Sequence, residues 1–75
     1  MIQNQQSANK ISYTVACVSS FAAAHNLSKK DAFLYLYGNK AIAFLKENYD
    51  VEHTLSLDDA VEDMTEICRK NGGVL

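Results

Sequence analysis

Proline is absent from the 75 residues, and glycine occurs only at Gly38, Gly72 and Gly73. With so few breakers the default conformation is helix, and the three glycines mark where a helix can stop or bend. Long apolar runs are also missing. The longest, Ala32 to Tyr37, has six residues, far short of the roughly 20 needed to span a bilayer. Met1 to Ser7 is polar and amide-rich rather than basic then apolar, so no export signal is expected there and a cytoplasmic location is. The net charge is −2, and the lysines are scattered apart from the Lys29-Lys30 pair. That pattern predicts neither a nucleic-acid partner nor a membrane surface.

Catalytic and metal-binding patterns are lacking too. His25, His53, Cys17 and Cys68 are the distinctive reactive groups, and none shows zinc-ligand spacing such as C-x-x-C or H-E-x-x-H. The only glycine pair closes a helix instead of opening one, so it forms no phosphate loop. No enzyme activity, cofactor or metal is expected. Both cysteines fall on apolar or flanking helical positions and read as buried free thiols in a reducing compartment. His25 sits where the first helix ends and suits a C-terminal position beside the negative pole of the dipole.

What is present is a set of helical patterns. Hydrophobic residues make up 48% and charged residues 21%, a balance that supports a globular fold and not a disordered chain. The expectation is one all-α domain of three to four helices over residues 8–73, behind a disordered tail at 1–7. From Ala8 to His25, steps of 100° bring Ile11, Thr14, Val15, Val18, Phe21, Ala22 and His25 within roughly 120° of arc as a core stripe. Tyr13, Cys17 and Ala24 form a further apolar flank. Ser28 with Asp31, and Ser56 with Asp59, have the spacing of N-terminal caps. They start a second helix running to Gly38-Asn39 and a last helix from Leu57 to Asn71. A third segment, Lys40 to Tyr49, is expected as a separate helix after a break at Gly38. The last helix is the cleanest: Leu57, Ala60, Val61, Met64, Ile67 and Cys68 share a face, and its charges lie opposite. Acids fill its first turns and bases its last, as the helix dipole favours.

The second helix carries a surplus. Six apolar or aromatic residues in a row cover the whole circumference of a helix, and a small core cannot accept them all. If Phe33, Leu36 and Tyr37 point inward, Tyr35 points nearly away and Leu34 lies to the side. Leu34 and Tyr35 are therefore candidate partner contacts, for another protein or for a second copy in a homodimer. The alternative is a helix buried on both sides. The connector Asp50 to Leu55 is β-branched and polar, which argues against strong helix. Asp50 and His53 in it, with Tyr49 just before it, are further candidate partner contacts, against the alternative that they tie the loop to local backbone. Asp58, Asp59, Glu62, Asp63 and Glu66 form an acidic face that either faces solvent or steers a basic partner.

The stretch from Tyr49 through His53 to Asp63, ending in Asn71-Gly72-Gly73, resembles the bacterial family called domain of unknown function 3791. So does the upstream order Leu27-Ser28-Lys29-Lys30-Asp31-Ala32-Phe33, then Tyr37-Gly38 and Ala41-Ile42. The likeness covers about residues 10 to 73 and implies a short helical cytoplasmic protein. Genes of such proteins often lie beside those of ADP-ribosyltransferase-like toxins, so the resemblance also implies an antitoxin or accessory partner of such an enzyme. No catalytic residue carries over. Where many members have leucine before the histidine, this chain has Glu52. The competing expectation is a helix-turn-helix-like nucleic-acid-binding regulator built on Ser28 to Tyr49, and the lack of arginine there weighs against it.

Overall fold

The computed structural model describes the backbone of residues 2–75 and the side chains of residues 9–75. Five helices follow one another: α1 (Ile2–His25), α2 (Lys29–Gly38), α3 (Ala41–Glu47), α4 (Tyr49–Glu52) and α5 (Leu57–Lys70). The described residues contain no strand. Four of these helices have seven residues or more, as the patterns predict, and α4 is one added turn inside the connector. Helix therefore forms over the first part of a connector whose β-branched residues argue against it. The helix α1 begins upstream of Ala8. The expectation for the tail at 1–7 falls on residues whose side chains lie outside the described ones.

Helix boundaries follow local chemistry. The Ser28 hydroxyl accepts from the Asp31 amide at 3.0 Å, and the Ser56 hydroxyl accepts from the Asp59 amide at 3.1 Å. Each satisfies an orphan donor of the first turn. At the end of α1, Asn26 adopts a left-handed conformation (φ 55°), and the Leu27 amide donates to the Ala22 carbonyl at 2.8 Å. The same closure ends α5, where Gly72 has φ 93° and the Gly73 amide donates to the Cys68 carbonyl at 2.7 Å. These bonds give the last carbonyls of each helix a partner. The break between α2 and α3 falls where expected, for a different reason. Gly38 remains inside α2, and Lys40 takes the left-handed backbone (φ 69°).

The core lies between α1, α2, α3 and α5. Phe21, Leu36, Leu45, Met64, Cys17 and Cys68 are its largest fully enclosed side chains, and both thiols are free. Burial pushes both thiols above their usual pKa. α1 packs on α2, α3 and α5, and α3 also touches α2, α4 and α5. On α5 the inward set is Ala60, Met64 and Cys68, with Val61 and Ile67 half-buried and Leu57 exposed.

The inward face of α1 differs from the expected stripe. Cys17 is enclosed and Tyr13 packs against the core, whereas Ile11 and Val15 are exposed. α1 is turned about its axis relative to that stripe, so the Tyr13–Cys17–Phe21 side meets the core and the Ile11–Val15 side faces water.

Candidate functional site

The uncovered part of α1 becomes one wall of an open trough of about 820 Å³. Ile11 and Val15 from α1 face Phe33, Leu34 and Tyr37 from α2, with Ile42 of α3 between them. These are large side chains left in water: Ile11 is 64% exposed, Val15 57%, Leu34 56%, Tyr37 64% and Phe33 40%. Apolar surface gathered in a concavity, as opposed to single exposed residues, is the usual mark of a binding site. The surplus of α2 is therefore real, but its direction differs from expectation. Phe33 and Tyr37 point outward and touch with their rings tilted by 45°, centroids 5.9 Å apart.

Tyr35 corrects the outward assignment given to it. Its ring is half-buried and stacks on Phe21 at 5.8 Å, and its hydroxyl accepts from the Leu75 amide at 3.0 Å. It also covers Gly73, where a Cβ would collide with the tyrosine hydroxyl and with the Cys68 carbonyl, 2.8 Å away. Together these contacts account for glycine at that position. Leu34 stands in the trough, so the two neighbouring candidates face different ways and do not form one surface.

The connector candidates sit beside α1. His53 lies over Tyr49, ring centroids 4.5 Å apart and nearly parallel, and its Nδ1–H donates to the Tyr49 carbonyl at 2.6 Å. Thr54 donates to the Val51 carbonyl at 2.6 Å. Tyr49 in turn meets the edge of Tyr13 at 5.6 Å. His53 is exposed and Asp50 lies on the outside of α4. The Lys10 ammonium is 5.7 Å from the Tyr49 ring centroid, within range of a cation–π contact, and Lys10 also lines the trough. Through Lys10 the trough and the Tyr49–His53 pair are adjacent. Tyr35 lies apart from both.

Two features of the site are missing from the sequence-based expectation. First, lysines scattered along the chain converge. Lys10, Lys29, Lys30 and Lys46 all line the trough, and no aspartate or glutamate is among its lining residues. Four of the seven basic residues thus rim one concavity in a chain of net charge −2. No spacing rule predicts this, because the four come from three helices.

Second, Glu52, at the C-terminal end of α4, is buried. One carboxylate oxygen has no hydrogen-bond partner. Burial and then the neighbouring Asp63 carboxyl raise its pKa to about 7. The Tyr13 hydroxyl donates to the Glu52 carbonyl at 2.9 Å, and burial followed by the Cys17 thiol lifts that phenol above its ordinary range. Asp63 therefore faces a carboxyl group and does not belong wholly to the solvent side of α5. No group of three or more His, Cys, Asp or Glu able to hold a metal occurs among the described residues. No described helix is long and apolar enough to cross a membrane.

These features define a class first: a small all-helical protein with an open, lysine-rimmed apolar trough. The family model described as protein of unknown function (DUF3791) matches residues 12–71, and the chain belongs to that family. No curated protein and no solved structure matches it.

Proposed function

We propose that the chain is a non-enzymatic protein-protein interaction module that works through the trough between α1 and α2. The observation that supports this reading is the set of five large apolar side chains left uncovered in one concavity. A chain this short has little apolar surface to spare from its own core, so leaving them exposed costs stability that a partner would restore. The family resemblance suggests the partner is an ADP-ribosyltransferase-like toxin and the role that of antitoxin or accessory protein. Tyr49, Asp50 and His53, next to the trough through Lys10, would extend the contact.

Co-expression with such a toxin from the same source tests this. The native chain should co-purify with the toxin and protect cells, a folded Val15→Asp/Leu34→Asp variant should do neither, and His53→Ala should weaken protection. A trough variant that protects as fully as the native chain would exclude the trough as the working surface. The lysine rim favours the other reading, a nucleic-acid-binding regulator. Its apolar floor opposes that reading, since phosphates are met by charge and not by leucine and phenylalanine. Duplex binding that weakens steeply with salt would reinstate it.

A further inference from the structure

The trough specifies more than a protein partner; building on the interaction-module reading, we infer that it takes an amphipathic helix whose apolar stripe is flanked by aspartate or glutamate. Its floor runs between two helices, and an amphipathic helix fills such a groove with side chains three and four residues apart. Its margin carries Lys10 and Lys46 as well as the Lys29-Lys30 pair, with no acid among the lining residues. A helix with acidic flanks meets opposite charge there. One with basic flanks meets like charge, so the rim acts as a selector.

Other occupants fit less well. Two copies joined trough to trough would oppose lysine to lysine. The acidic helix of a second copy, α5, already spends Ala60, Met64 and Cys68 on its own core and has no comparable apolar stripe to insert between its acids. An anionic bilayer offers charge but presents a flat surface to a concavity. A fatty acid is ordinarily enclosed on most sides, whereas the walls here stand open to water.

The probes are two fluorescent 18-residue model helices with identical leucine stripes, one flanked by glutamate and one by lysine, titrated with the full chain by anisotropy. At 50 mM NaCl the glutamate helix should bind at least tenfold more tightly, and the gap should narrow at 300 mM as salt screens the rim. Lys29→Glu/Lys30→Glu, at exposed positions, should abolish or invert the preference. Val15→Asp/Leu34→Asp should weaken the glutamate helix at least tenfold without changing the circular dichroism spectrum. Should that variant unfold, the charge-reversal pair decides alone.

Equal binding of both helices through the trough would overturn the acidic-flank inference and leave the interaction module standing. Failure of both helices to bind would also overturn it, as would binding unaffected by either variant. Capture by vesicles of anionic and neutral phosphatidyl lipids in place of either helix would assign the surface to membranes instead. A trough-dependent dimer seen in sedimentation would assign it to a second copy. The toxin capture experiment is independent of these results, so the two proposals fail separately.

Discussion

The α5 side and the α1–α2 side of this protein use their apolar residues in opposite ways. α5 has one apolar face, and the core covers most of it: Ala60, Met64 and Cys68 are inaccessible. α1 and α2 have apolar residues on more than one face, and only part of that surface is covered. Cys17, Phe21 and Leu36 go inward, while Ile11, Val15, Leu34 and Tyr37 remain in water. A helix with a single apolar stripe has one way to pack, whereas a helix apolar all round leaves the choice to its neighbours. The first side holds the fold together. The second leaves surface available for a partner.

Placing a charge on each side should separate them most sharply. Met64→Asp buries a carboxylate among apolar groups, and removing the side chain alone costs about 2–5 kcal/mol in a core. A chain of this size has on the order of 7 kcal/mol in total, so the variant should lose its cooperative melt and much of its far-ultraviolet helical signal. Retention of the native melting temperature would mean that α5 does not anchor the core.

Between the two sides, Glu52 gives the next largest effect. Its folded pKa, about 7, lies above the ordinary glutamate value of 4.5, so the folded state binds the proton more tightly than the unfolded state. Its contribution is fully present below pH 4.5, and it is lost as pH rises through 7. At 1.36 kcal/mol per unit the loss is on the order of 3 kcal/mol. Melting temperature should therefore fall between pH 5.5 and pH 8. Glu52→Gln, whose amide can donate to Asp63, should raise it at pH 8 and flatten the slope. A native slope unchanged by that substitution would assign the pH dependence to other groups.

Gly73→Ala should be smaller, on the order of 1–2 kcal/mol, because the methyl collides with the Tyr35 hydroxyl and the Cys68 carbonyl and the tail has to shift. Combining it with Tyr35→Ala tests the mechanism: with the ring gone, only the clash with the Cys68 carbonyl remains, and the added methyl should cost less than it does in the native chain. Full additivity of the two would separate Gly73 from Tyr35. The smallest effect on stability should come from Leu34→Ser in the trough, within about 0.5 kcal/mol as for other exposed positions. Thermal melts would detect a larger loss, which would place Leu34 in the core and make the two sides alike.

Legibility followed the same division. The two serine caps, the glycine end of α5 and most of its inward face could be read because each depends on residues within one turn of one another. The surplus on α2 was also legible, since six successive apolar residues cannot share one face. Its direction was not. Phe33 and Tyr37 were expected inward and Tyr35 outward, and the reverse holds because Phe21 and the Leu75 amide offer Tyr35 an apolar surface and a hydrogen bond. Both belong to other parts of the chain. Glu52 gave no sign of burial, as a glutamate in a polar connector ordinarily faces water.

The sequence alone determined that this protein is helical, where most helices start and stop, and that it carries more apolar surface than one small core can use. These are consequences of backbone capping and of periodicity, which act over a few residues. Tertiary structure decided which surface stayed open. α1 is turned so that Tyr13, Cys17 and Phe21 meet the core, which leaves Ile11 and Val15 as a wall, and lysines from three helices meet around it. Helix rotation and convergence are relations between helices, and no single stretch of sequence encodes them.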